Sequence, residues 1–236
     1  MKRPRPALIV FCREPIEHQV KTRLIGSMTP AAAAALSDAF IRDALAKAVS
    51  VRPARIVIAG SAPDGAERSR YFRRMARQFD AELIDQGDGS LGRRMARSLE
   101  PFSSSGALLI GTDTPSLPSA MIATSLDALS RTRVVIAPSL DGGYYAVGLR
   151  GAMPPIFAAI RWGSRRVFDS TIERLERAGI PYALGPAWYD VDRWADVILL
   201  AAHLRMLARA RPRARSSPCP VTESVLVRLG VLRHDR

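Results

Sequence analysis

A chain of 236 residues, 47% hydrophobic and 24% charged, carries enough apolar material for one sizeable core. Its formal net charge of +13 comes largely from arginine, and such a surface attracts polyanions without specificity; yet no stretch interleaves aromatics with these cations, so a dedicated single-strand nucleic-acid binder is disfavoured. Two cysteines, Cys12 and Cys219, exclude a disulfide framework and suit a reduced compartment, and no apolar run approaches the ~18 residues of a membrane span, so a cytoplasmic protein is expected.

The basic start, residues 1–6, is followed by an apolar run that stops at Cys12 with no small-residue cleavage site, so no signal peptide is expected. That run, Ala7-Leu8-Ile9-Val10, reads as a buried strand, and a cationic loop with Arg13, Lys21 and Arg23 follows it. In open α/β sheets ligands bind at the carboxyl ends of the strands, and ammonium or guanidinium groups placed there suit a diphosphate. The same cations also suit a solvated basic loop. A Walker A loop is excluded because Pro15 and Val20 stand where its glycines belong, and the first glycine after the strand, Gly26, is too late for a dinucleotide fingerprint.

Thr29 and Pro30 mark a helix start, and the alanine-rich segment continues it to residue 49. Strands are predicted over 55–59 and 82–85 and helices over 67–78 and 91–99, with a doubly buried strand over 107–110. A helix over 119–130, strands over 134–137 and 144–149, an amphipathic helix over 164–178, a strand over 182–184 and a helix over 193–209 complete the pattern. The alternation predicts an α/β fold, a mostly parallel sheet with helices on both faces. Residues 1–210 form the expected domain. Beyond it, 211–220 is rich in Pro, Arg and Ser and reads as a linker, leading to a short amphipathic piece over 222–229.

Three acidic signals fall at strand ends. Asp113, in Gly111-Thr112-Asp113-Thr114-Pro115, follows the doubly buried strand and is a candidate ligand for a hard cation, or a turn or cap aspartate ahead of the helix at Ser119. In Asp190-Val191-Asp192 both carboxylates can face one ion in extended chain, while Asp192 also suits the N-cap of the next helix. Asp141, before Gly142-Gly143, is either a general base or a turn residue. No His-Cys zinc spacing and no Gly-x-Ser-x-Gly elbow offers a competing site.

Taken together, Phe11, Arg13, Pro15 and Val20-Lys21-Thr22-Arg23-Leu24, then Gln86-Gly87, Leu91-Gly92 and Arg94-Met95, the Asp113 segment, Asp141-Gly142-Gly143-Tyr144, Trp162-Gly163-Ser164 and Asp190-Val191-Asp192 resemble the DUF2064 family in the same order. The resemblance implies a GT-A-type, nucleotide-diphospho-sugar transferase-like fold, a three-layer α/β/α sandwich, and more remotely it is similar to phospholactate and molybdenum-cofactor guanylyltransferases. It implies that Arg13, Lys21 and Arg23 line the diphosphate site, with Gln86, Gly89 and Leu91-Gly92 near the base. It implies further that Asp113, Asp192 and Asp190 hold Mg²⁺ or Mn²⁺, and that Asp141-Gly142-Gly143-Tyr144 shapes the acceptor pocket, with Asp113, Asp141 and Lys21 in catalytic roles. The implied activity is metal-dependent glycosyl transfer from a nucleotide sugar to a small-molecule acceptor. Nucleotidyl transfer from an NTP to a phosphorylated small molecule is the alternative, and a basic nucleic-acid-binding protein lies outside both. Against the family pattern, Arg13 replaces Lys, His18 replaces Gly, Ser90 replaces Asp and Arg93 replaces Glu.

Overall fold

The first strand, β1 (Ala7–Arg13), is buried on both faces because Ala7, Ile9 and Phe11 project to one side and Leu8, Val10 and Cys12 to the other, each side meeting its own apolar cluster. In the computed structural model, which describes residues 5–210 and 217–233, β1 pairs in parallel with β2 (Ile56–Ser61) on one side and β4 (Ala107–Ile110) on the other. Strand β3 (Glu82–Asp85) extends the sheet beyond β2. Beyond β4 come β6 (Tyr144–Leu149), β5 (Val134–Pro138) and β7 (Tyr182–Leu184), giving the order β3-β2-β1-β4-β6-β5-β7. Only β6 among these runs antiparallel to its neighbours. The chain leaves β1 for β2 on one side and later enters β4 on the other, so a crevice opens at the carboxyl ends of β1 and β4.

Helices α1 (Pro30–Val51), α2 (Arg70–Phe79) and α4 (Ser119–Leu129) cover one face through Ile41, Leu45, Phe72, Met75, Ile122 and Leu126. Helices α3 (Leu91–Leu99) and α5 (Val167–Arg177) cover the other through Met95, Leu99 and Leu175. This is the expected three-layer α/β/α sandwich with a mostly parallel sheet. The predicted start at Thr29 is a real cap, and Ser90 caps the helix predicted over 91–99 in the same way, since each side chain accepts a backbone N–H three residues on, from Ala32 and Arg93.

A third cluster lies outside α1. Its members Ala33, Leu36 and Phe40 of α1 meet Val197, Leu200 and Leu204 of α6 (Trp194–Ala210) and Val225 and Leu226 of α7 (Pro220–Arg228). Helix α1 is therefore apolar on opposite faces, as a helix buried on both sides must be. The amphipathic piece expected over 222–229 is this α7, packed into the core; of the expected linker, residues 211–216 lie outside the described residues. Asp43 of α1 is buried and accepts hydrogen bonds from the first N–H groups of α7, Val221 at 3.1 Å and Thr222 at 2.8 Å. A carboxylate at a helix amino terminus satisfies otherwise orphan donors and faces the positive end of the helix dipole. Both cysteines are buried free thiols, and no helix among the described residues is long and apolar enough to cross a membrane.

Leu226 is fully buried between α7 and α1, whereas Val227 next to it is 40% exposed. Leu226→Ala is expected to lower unfolding stability by about 2–5 kcal/mol through lost apolar transfer and a residual cavity, while Val227→Ala stays within about 0.5 kcal/mol of the parent. Urea denaturation followed by circular dichroism measures both; equal effects would show that α7 is not part of the cooperative core.

Candidate functional site

The loop after β1 is shaped by two residues in the left-handed region, His18 at φ 63° and Lys21 at φ 47°. Such backbone is costly for a residue with a Cβ and persists where the surroundings over-determine it. A 3-10 turn at Thr22–Leu24 then drives Leu24 into the third cluster, which fixes the loop on the core. The position where His18 replaces the glycine of the resembled pattern is thus one where glycine would be unstrained.

The turn aims Lys21 inward, and its side chain is 6% exposed. Its ammonium lies 2.6 Å from Asp113 Oδ1 and 2.9 Å from Asp192 Oδ1, and it donates to the Val191 carbonyl at 2.8 Å. The ring of Phe40 lies beneath it, 5.2 Å from Nζ. Burial alone would lower the pKa of Lys21, but Asp113 and then Asp192 outweigh burial and raise it above the ordinary lysine value. Asp192 is held from its other oxygen by Arg23 at 3.4 Å, and the Val191 N–H donates to the Asp113 carbonyl at 2.8 Å. Val191 is itself buried in the third cluster, so the 190–192 segment and the Asp113 loop are joined by both backbone and side chains.

Asp192 does not cap α6. Its carboxylate faces Lys21 and Arg23, and Asp196 in the first turn reaches back to the Asp192 and Arg193 N–H groups at 3.0 and 2.7 Å. Asp190 lies close to Asp141 and also within reach of the charges of Asp192 and Asp113. Burial and then the charges of Asp141, Asp192 and Asp113 push its pKa up to about 7, and its buried Oδ1 has no hydrogen-bond partner. Asp141 itself accepts the Gly143 N–H at 2.8 Å, the geometry of a turn aspartate.

A cleft of about 490 Å³ opens over these groups. Of the expected site residues it is lined by Arg13, Lys21, Arg23, Gln86, Leu91, Asp113, Tyr144 and Asp192. Gly89, Gly92, Asp141, Gly142, Gly143 and Asp190 are not part of its wall. Gly92 has a packing reason instead: a Cβ there would come within 2.5 Å of the Trp162 ring and 2.9 Å of the Phe157 carbonyl. Gln86 lines the cleft but is only 1% exposed; its amide donates to the Cys12 and Ala59 carbonyls at 2.9 and 2.8 Å, bracing β1 against β2. Its oxygen accepts from Arg94 at 3.0 Å.

Sequence reasoning gave no site role to Arg94 or Phe11, which stand face to face in the cleft with the guanidinium carbon 5.7 Å from the ring centre. The helical phase of α3 was the available signal, since Leu91, Arg94 and Met95 share one face and all three line the cleft. Among the described residues no three His, Cys, Asp or Glu side chains are already arranged to hold a metal ion.

The chain is similar to known proteins in family and in fold. A family model described as "Uncharacterized protein conserved in bacteria (DUF2064)" matches residues 28–164, more than half of the chain. The crystal structure of a "putative nucleotide-diphospho-sugar transferase" from Desulfovibrio desulfuricans G20 is 26% identical with a TM-score of 0.78, over 96% of this chain and 98% of that one. The fold alone is shared with 4-diphosphocytidyl-2C-methyl-D-erythritol synthase from Anaerococcus prevotii, 10% identical with a TM-score of 0.56 over 85% and 96% of the two chains. It is also shared with 2-C-methyl-D-erythritol 4-phosphate cytidylyltransferase from Thermus thermophilus, 17% identical with a TM-score of 0.51 over 85% and 98%. No curated protein sequence matches.

The elevated Asp190 carboxyl has a signed consequence. Because its native pKa exceeds the ordinary aspartate value, the native state binds the extra proton between about pH 4 and 7, and stability falls as pH rises through that window. Asp190→Asn in EDTA is expected to remove that decline. With solvent screening discounted, the variant gains about 1–2 kcal/mol relative to the parent at pH 8 and nothing at pH 4. Urea titrations at the two pH values test it, and parallel stability curves would refute the electrostatic account.

Proposed function

The chain belongs to the DUF2064 family, and from that premise we propose that it is a metal-dependent glycosyltransferase that uses a nucleotide-sugar donor and a small-molecule acceptor. The observation that carries the proposal is the junction of Lys21, Asp113 and Asp192 at the carboxyl ends of β1 and β4, on the wall of a cleft large enough for a nucleotide. The likeness over nearly the whole of both chains to the D. desulfuricans protein supports sugar transfer in particular.

The acidic groups fit a hard divalent cation. Oxygen donors are the chemistry Mg²⁺ and Mn²⁺ prefer, and Asp190 offers a buried, unpartnered oxygen whose protonation is favoured by burial and then by the charges of Asp141, Asp192 and Asp113. Asp113, Asp192 and Asp190 would hold the ion. When bound, it supplies Lewis-acid stabilisation of the charge on a departing diphosphate.

The chain's own residues do the rest. Lys21 keeps Asp113 and Asp192 at a fixed separation, and the guanidinium groups of Arg13 and Arg23 add positive potential where the leaving diphosphate gains charge. The Phe11 and Leu91 side chains give the base an apolar wall. Asp141, beside Asp190 at the edge of this acidic group, would accept the proton of an acceptor hydroxyl, and Tyr144 would form the neighbouring wall of the acceptor pocket.

A second reading, nucleotidyl transfer, is supported by the fold shared with the two erythritol-phosphate enzymes, and fold likeness at that level of identity fits either chemistry. The products separate them. With Mn²⁺ and a panel of nucleotide sugars, the protein is expected to release a nucleoside diphosphate, slowly to water when no acceptor is present, and to form no pyrophosphate. Asp113→Asn keeps side-chain shape but removes the charge, and should cut that release by about two orders of magnitude with the circular dichroism spectrum unchanged. Pyrophosphate from an NTP plus a phosphorylated acceptor, with no diphosphate from any nucleotide sugar, would favour the second reading.

A further inference from the structure

The geometry points to Arg94, paired with Arg13, as the oxyanion subsite of the cleft, gripping a phosphoryl group of the bound ligand, while Lys21 is a positioning residue. The inference rests on the nucleotide-diphosphate reading of the cleft and names which of its cations remain free to bind. An ammonium has three N–H donors. Those of Lys21 face Asp113 Oδ1 at 2.6 Å, the Val191 carbonyl at 2.8 Å and Asp192 Oδ1 at 2.9 Å, which leaves none for a phosphate. Arg23 turns toward Asp192.

Arg13 and Arg94 differ. Both line the cleft, and among the described residues neither forms an ion pair. Among the described residues Arg13 donates only to the Gln19 carbonyl at 3.4 Å, a long bond. Arg94 donates from one terminal nitrogen to Gln86 Oε1 at 3.0 Å, and its Nε is buried without a partner. Burial lowers the pKa of Arg94, and the charge of Arg13 lowers it further, so the two cations lie close enough to repel.

The fork is also held in place. Gln86 is locked by its two bonds to the Cys12 and Ala59 carbonyls, so its oxygen is fixed toward Arg94, and the Phe11 ring backs the guanidinium plane. A guanidinium held this way presents its remaining N–H groups in the geometry that matches phosphate oxygens bidentately. A bound oxyanion would pair the terminal N–H groups that Gln86 leaves free and offset the repulsion at once.

Inorganic pyrophosphate is the first probe, titrated calorimetrically into the full chain in EDTA and 50 mM salt. Arg94→Gln and Arg13→Gln are each expected to weaken binding ten-fold or more, and Arg94→Lys to restore only part of it, since lysine lacks the fork. Arg73→Gln, on an exposed position of α2, removes the same charge from the surface and should change affinity less than two-fold. Competition with a panel of nucleoside diphosphates identifies the source: displacement assigns the subsite to the donor's diphosphate, and simultaneous binding assigns it to a phosphorylated acceptor. No pyrophosphate binding, equal loss in Arg73→Gln and Arg94→Gln, or loss with Lys21→Met but none with Arg94→Gln would overturn the inference. The outcome is independent of the sugar-transfer assay, because pyrophosphate binding through Arg94 with no diphosphate release would retain the subsite and reject that reading.

Discussion

One buried ammonium holds the functional end of this molecule together. Asp113 follows β4 and Asp192 precedes α6, and their like charges would repel across the crevice without Lys21 between them. Removing a charge from water is costly, and a buried lysine keeps its proton only where carboxylates face it. Lys21 meets that condition because a left-handed backbone turn aims it inward and Leu24 anchors the turn in the core. The strained loop, the buried side chain and the two acidic segments are therefore one device, and the cleft takes its shape from it.

Much of the architecture was legible in the sequence because the strands are short apolar runs bounded by polar turns, and because Thr29 and Ser90 announce helices by their side-chain chemistry. The helix over 67–78 was placed three residues early at its start: Ser69, not a residue before it, accepts the Phe72 N–H and sets the first turn of α2. The helix expected from 164 begins instead at Val167, after residues 164–166 that carry no capping side chain for it. These boundaries depend on single hydrogen bonds, which periodicity does not resolve.

The site was legible in its residue types and less so in their assignments. Asp192 looked equally able to cap a helix or face a cation, and only the tertiary fold, which gives the capping work to Asp196, separates the two. Gln86 stood in a segment expected near a base, but burial commits its amide to the backbone of two strands. Gly92 is small because Trp162 lies against it. In each case the decisive partner is far away in sequence, so local pattern could name the residue without naming its role. The doubly apolar character of α1 was a signal for a second layer outside it, and α6 and α7 are that layer.

The bond from Asp43 to the start of α7 joins positions 178 and 179 apart in the chain. During synthesis the outer flank of α1, with Leu36 and Phe40, is made early and stays uncovered until the segment around Val225 and Leu226 has left the ribosome. The sheet and the inner helices can assemble while translation continues, but this flank cannot close. Contacts of such long range form late and slowly, and exposed apolar surface invites association in the meantime. Until that segment emerges the nascent chain carries a sticky patch, a surface that a holding chaperone would engage.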